Sequence, residues 1–165
     1  MNSMKKLMIG VGDYGGSNTT GESVKTMALG SCVAVVILHP PTRTVGMVHV
    51  ALPESSTNPD RAKERPGYFS DTGIPALLKR MADLSKNPAN KGYIIKLTGG
   101  AKVMDPNNLF NIGDRNVLAI KKNLWKYGMG PVAEDTGGQI SRTVEVFVDT
   151  GKIVISSPGR GNWEL

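Results

Sequence analysis

Hydrophobic and polar positions along the chain alternate between strand-like and helix-like spacing, and their order predicts the architecture. Residues 5–12 form a short apolar run closed by glycine, as a strand would. Residues 13–23 are rich in Gly, Ser and Thr and read as a flexible loop. Residues 24–29 make a second candidate strand, stopped by Gly30-Ser31-Cys32. Residues 33–38 are continuously apolar and mostly β-branched, the pattern of a strand covered on both faces, and Pro40-Pro41 ends it. Residues 45–52 follow as another strand, so these two are expected to pair as a hairpin.

Residues 53–68 are polar, carry three prolines, and read as the longest structureless segment, a lid or docking loop. A helix is expected from Asp71 or Thr72, because Ile74, Leu77, Leu78, Met81 and Leu84 fall on one stripe, with Pro75 tolerated in its first turn. Residues 92–98 read as a strand closed by Gly99-Gly100. A second helix is expected over 114–127, with Asp114 as N-cap, Val117, Ile120 and Leu124 as its stripe, and Gly128 as a left-handed stop. Residues 142–148 and 152–155, joined through Asp149-Thr150-Gly151, read as a hairpin. Strands outnumber helices in irregular order. The expected class is therefore mixed α/β of the α+β kind, with helices covering a largely antiparallel sheet system.

The length of 165 residues fits a single domain over 1–165, with 1–5 and 157–165 expected as loose ends. A composition of 39% hydrophobic and 21% charged residues excludes a disordered chain. The net charge of +6 and a pI near 9.5 raise the possibility of nucleic acid. The basic residues are scattered, however, and the densest run, Arg61-Ala62-Lys63-Glu64-Arg65, already contains a glutamate. No stretch interleaves aromatics with arginine as a base-stacking surface does, so no nucleic-acid partner is expected. No apolar run approaches the roughly 20 residues that span a bilayer, and the first residues do not make a signal peptide. The expectation is a cytoplasmic protein with no membrane insertion. One cysteine excludes an internal disulfide, and one Cys with two His builds no zinc site, so neither metal nor cofactor is expected.

Cys32 has two readings. A lone cysteine is usually a small buried hydrophobe. This one follows Gly30 and Ser31 at a turn into a buried strand, where neighbouring amides can serve as oxyanion donors. A catalytic thiol with an ordinary pKa near 8.5 needs a base or a positive partner. His39, before Pro40-Pro41, reads as an exposed turn residue. His49 interrupts an apolar strand and by alternation shares a face with Met47 and Ala51. It is either a satisfied core histidine or the base. If it is the base, Cys32 should alkylate faster than free cysteine at neutral pH, and His49→Ala should remove the excess. Gly10-Val11-Gly12-Asp13-Tyr14-Gly15 matches a dinucleotide-binding pattern, but no helix follows to receive a pyrophosphate, and it reads as a loop.

Leu29-Gly30-Ser31-Cys32-Val33-Ala34-Val35, Gly46-Met47-Val48-His49 and Leu52-Pro53 resemble the CheD family of chemoreceptor glutamine deamidases. The likeness continues through Gly99-Gly100-Ala101, then Ile112-Gly113-Asp114-Arg115-Asn116-Val117, and Asp135-Thr136-Gly137-Gly138 with Arg142 behind it. One departure is Ser141, where the family often has glycine. The resemblance implies a β-sandwich flanked by helices, a cysteine-hydrolase fold similar to the cytotoxic-necrotizing-factor deamidases. It implies a Thr, Cys, His site that carries over to Thr26, Cys32 and His49, with backbone support for an oxyanion from Gly30 and Ser31. Thr26 would orient the imidazole through either its hydroxyl or its carbonyl. The implied activity is hydrolysis of glutamine side chains on methyl-accepting chemotaxis receptors, with glutamyl methylesterase activity as a possible second reaction. The implied partners are those receptors and a CheC-type phosphatase. The alternative is a non-catalytic adaptor that binds receptors or the phosphatase.

Overall fold

A computed structural model describes residues 5–103 and 110–165, and the first four residues of the expected loose N-terminus lie outside it. Among the described residues, ten strands form two five-stranded sheets. The first takes the order β1 (Lys5–Met8), β3 (Glu22–Leu29), β8 (Arg142–Phe147), β9 (Ile153–Ser157) and β10 (Gly161–Glu164). The second takes the order β2 (Tyr14–Ser17), β5 (Thr44–Val50), β4 (Val33–His39), β6 (Ile94–Gly99) and β7 (Ala133–Thr136). Only β1 with β3 and β6 with β7 run parallel; the other named pairs are antiparallel. This is the α+β class expected, and both expected hairpins form: β4 with β5, and β8 with β9.

β4 explains the layering. Its residues are buried on both faces, as its unbroken apolar run requires. Ala34, Val36 and Leu38 face the first sheet, where they meet Val24, Val144, Val146 and Ile155. Val33, Val35 and Ile37 face the other way, onto two helices. Helix α2 (Ser70–Ser85) contributes Ile74, Leu77, Leu78 and Met81 to that layer, and α3 (Ile112–Trp125) contributes Ile120 and Leu124. Each such side chain stabilises the layer by about 1.5–3 kcal/mol of burial. α2 can sit this close because β5 presents Gly46 to it: a Cβ there would lie 2.7 Å from the Met81 sulfur.

Several expected boundaries are corrected. The loop expected over 13–23 contains β2, paired antiparallel with β5. Its Tyr14-Gly15-Gly16-Ser17 sequence looks like a turn, yet glycine is what the packing needs, since a Cβ on Gly16 would lie 2.8 Å from the Val45 carbonyl. The segment 53–68 is structured: helix α1 (Pro59–Glu64) is capped by Asn58, whose side chain accepts from the Arg61 amide. α2 starts at Ser70, so Pro75 lies past its first turn. α3 starts at Ile112, after Asn111 in a left-handed conformation, so Asp114 is its third residue and not its cap. Gly128 does adopt the left-handed conformation expected of a stop. The sequence reading passed over β7, and the end read as loose from 157 onward forms β10 along β9, anchored by Trp163 packing on the inter-sheet core.

Candidate active site

The β4–β5 hairpin sets the site. Ala34 lies directly opposite His49 in its register. Cys32, one residue ahead of β4, has the parity of Ala34 and packs against the same inter-sheet cluster. By that parity Cys32 falls on the same face of the hairpin as His49, one diagonal step along. His49 is buried, while Cys32 retains partial exposure. The bland reading of His49 as a fully satisfied core histidine fails on one atom: Nε2 is buried and, among the described residues, has no hydrogen-bond partner.

The other ring nitrogen is held. Thr26, fully buried on β3, places Oγ1 2.7 Å from His49 Nδ1 and 2.6 Å from the Ile9 carbonyl oxygen. A carbonyl can only accept, and a threonine hydroxyl has one proton. The hydroxyl must therefore donate to Ile9, and Nδ1–H must donate to the hydroxyl. That order puts the ring proton on Nδ1 and leaves the Nε2 lone pair free. Of the two groups Thr26 could offer, it is the hydroxyl that meets the ring.

Burial tunes both groups. It lowers the His49 pKa to about 4, against the opposing pull of the nearby Asp13 carboxylate. It raises the Cys32 pKa, against a hydrogen bond from the residue's own backbone amide. At neutral pH the resting pair is thus thiol and neutral imidazole, not thiolate and imidazolium. Rapid resting alkylation, expected from the sequence, does not follow from this arrangement, because desolvation penalises the charged form of each partner.

The turn before Cys32 is pinned from one side. The carbonyls of Gly30 and Cys32 accept from the amides of Ala101 and Gly100, each at 2.8 Å. The Ser31 carbonyl accepts from Asn116 Nδ2 at 2.9 Å. Gly99 fits against this turn only without a side chain, since a Cβ would lie 2.3 Å from the Cys32 carbonyl oxygen. Arg142, buried between the sheets, donates to the Gly99 and Gly137 carbonyls and pairs with Asp135 at 3.1 Å. With its carbonyls engaged, the turn directs the Ser31 and Cys32 amides the other way, where among the described residues no other group accepts from them.

Ile9, Asp13 and Asn116 were not singled out from the sequence as contributors to this site. Asp13 and Gly12 come to His49 through backbone bonds, His49 N–H to the Asp13 carbonyl and Gly12 N–H to the His49 carbonyl. The glycine pattern from Gly10 to Gly15 thus runs along the backbone of the strand that carries His49. His39 plays no part: it bonds Thr42 at the far end of β4. A cavity of about 320 Å³ opens at that end, lined by Leu38, His39, Val45 and Val148, and it holds none of the expected site residues.

Comparison with known proteins places relatives beside this geometry. The family model for CheD, described as chemotactic sensory transduction, matches residues 51–157, a stretch that begins just after His49. Whole-chain relatives also cover the site strands. A probable chemoreceptor glutamine deamidase CheD of Syntrophotalea carbinolica is 54% identical over 98% of this chain and 100% of its own length. The probable chemoreceptor glutamine deamidase CheD 1 of Syntrophus aciditrophicus is 40% identical over 94% of this chain and 96% of its own. The chemoreceptor glutamine deamidase CheD of Thermotoga maritima is 39% identical over 96% of this chain and 95% of its own.

Proposed function

The chain belongs to the CheD family, and from that membership we propose that it hydrolyses receptor glutamine side chains to glutamate, with Cys32 as nucleophile, His49 as proton carrier and Thr26 as the group that orients His49. The observation that carries this reading is the Thr26 hydroxyl seated between Nδ1 and the Ile9 carbonyl, which commits the ring to the tautomer with a free Nε2. As a carboxamide settles over Cys32, Nε2 takes the thiol proton and the sulfur attacks the carboxamide carbon. The amides of Ser31 and Cys32 hold the oxyanion that forms. The imidazolium then protonates the leaving nitrogen, and ammonia departs from a thioester. Water gives a proton to His49 Nε2 and adds to the thioester carbon; the C–S bond breaks, Nε2–H returns its proton to the departing sulfur, and glutamate leaves with the thiol restored. Nδ1–H donates to Thr26 throughout, so the ring need not turn between steps. Catalytic hydrogen bonds are commonly long before substrate arrives, which suits an unpartnered Nε2.

The same site would cleave glutamyl methyl esters, with methanol as leaving group. A net charge of +6 suits docking on glutamate-rich chemoreceptor helices in the cytoplasm, and a CheC-type phosphatase is the expected second partner. Among the described residues no helix is long and apolar enough to cross a membrane. The test is mass spectrometry of a receptor signalling fragment incubated with the protein. Each converted glutamine gains about one dalton as NH2 becomes OH by the covalent route. Cys32→Ala should abolish the gain. An adaptor would keep its effect on receptor signalling in that variant, and an untouched receptor after prolonged incubation with the unaltered protein would overturn the reading.

A further inference from the structure

The last registered pair of β4 and β5 at this end is Val33 with Val50. Beyond it the backbone ladder stops, yet the residues that matter for chemistry lie there or just inside it. One buried side chain takes over from the ladder. Asn116 Nδ2 lies 2.9 Å from the Ser31 carbonyl oxygen and 3.0 Å from the Ala51 carbonyl oxygen. Carbonyls only accept, so the amide orientation is forced and both of its protons are committed. Ser31 immediately precedes the sulfur residue, and Ala51 is two positions past the imidazole on the same strand line.

Resting on the proposed function, we propose that Asn116 is a positioning residue that sets the separation of Cys32 and His49 by bridging the two strand ends through its carboxamide. Three features support this. Asn116 is fully buried, on a helix whose first turn is pressed against the loop that holds the other two carbonyls of the nucleophile turn. That seat is rigid, because a Cβ on Gly113 would lie 2.3 Å from the Gly100 carbonyl oxygen. And Asn116 Oδ1 is buried and, among the described residues, has no partner, an arrangement that a position serving packing alone would avoid by using an apolar residue. No other small side chain delivers two protons to two carbonyls from one point. Asp has the shape and no donors when ionised; Ser has one proton; Ala has none.

The experiment is a double-substitution cycle between Asn116→Asp and His49→Gln, read by deamidation kinetics and by iodoacetamide alkylation of Cys32 across pH, with thermal unfolding followed in parallel. Asn116→Asp should lower kcat by roughly 10–100-fold, as a small misplacement of reacting groups does, while leaving KM within about two-fold. In the His49→Gln background the same change should have little further effect on kcat, and Asn116→Asp should by itself change the Cys32 alkylation rate, because the turn that carries the sulfur has moved. Equal losses in both backgrounds, or a fall in unfolding temperature with kcat retained, would assign Asn116 to folding alone and overturn the proposal. If Asn116→Asp does not fold, Asn116→Ala replaces it in the cycle; failure of both to fold overturns the proposal as well. Absence of deamidation by the unaltered protein is a failure of the proposed function. Alkylation still decides on Asn116 in that case, since a displaced Ser31–Cys32 turn changes the Cys32 alkylation rate without substrate, and an unchanged rate in Asn116→Asp overturns the positioning role.

Discussion

Thr26 and His49, on strands of different sheets, meet through a single hydroxyl: Thr26 Oγ1 lies 2.7 Å from Nδ1 and passes its own proton to the Ile9 carbonyl 2.6 Å away. The two sheets are thus joined by the group that decides which ring nitrogen is basic. Thr26→Val keeps the shape and removes the relay. It should lower kcat by roughly 10–100-fold through loss of ring orientation. It should also cost about 1–3 kcal/mol of stability, because Nδ1 and the Ile9 carbonyl are left unpaired in the interior. Thr26→Ser should recover most of kcat. Steady-state kinetics and urea unfolding of the pair check this.

The pH dependence of activity follows from the neutral resting pair. With the His49 pKa lowered to about 4, the base stays unprotonated well below the pH at which an ordinary histidine charges. The acid limb of kcat/KM should therefore fall nearer pH 4 than pH 6.5. With the thiol pKa raised, Cys32 should alkylate more slowly than free cysteine at pH 7, and the rate should keep climbing above pH 9. Faster alkylation than free cysteine at neutral pH would mean that the ion pair pre-exists.

Stability carries the same signature with a definite sign. The folded pKa of His49 is about 4 and the ordinary value is 6.5, so between these values the unfolded chain binds the extra proton. Stability from this group is complete above pH 6.5 and is lost as pH falls toward 4. The shift corresponds to a loss on the order of 3 kcal/mol. Urea unfolding at pH 7 and pH 4.5 should show this excess loss in the unaltered protein and not in His49→Gln. Parallel curves for the two proteins would contradict the buried neutral imidazole.

What the sequence revealed follows from how local each signal is. The unbroken apolar run of β4 and the alternation of β5 predicted the hairpin, but whether Cys32 and His49 would share a face depended on its register, which sets Ala34 opposite His49. Thr26 was harder: its strand shifts register between Thr26 and Leu29, with Ala28 in a left-handed conformation, so counting from Cys32 fails and only the family likeness pointed to it. β2 was illegible because Gly15 and Gly16 are there for close approach to β5, a requirement set by a partner more than twenty positions away. Asn116 was illegible in another way. It occupies the buried stripe of α3 with Gly113, Ile120 and Leu124, but a polar residue in a helix reads as surface until its carbonyl partners are in view. The N-terminal cap of α1 was readable, since Asn58-Pro59 is a start signal that the density of prolines around it concealed.

The turn behind Cys32 is held by a glycine whose two constraints, clash and backbone conformation, a second glycine separates. Gly99 has φ of +115° and would place a Cβ 2.3 Å from the Cys32 carbonyl oxygen, a backbone atom that cannot swing aside. Gly137 has φ of +82° and open space where its Cβ would stand. Gly137→Ala therefore measures the conformational cost alone, about 1–2 kcal/mol. Gly99→Ala adds the clash, which overpacking raises by a further 1–3 kcal/mol or so. It should also push the Cys32 backbone off the Gly100 amide that holds it at 2.8 Å. The expected outcome is a modest stability loss with kcat retained in Gly137→Ala, and a larger loss with kcat reduced at least ten-fold in Gly99→Ala. Urea unfolding with deamidation kinetics on both variants checks it. If the two variants lose stability equally and Gly99→Ala keeps its kcat, the contact behind the sulfur does not hold the nucleophile in place.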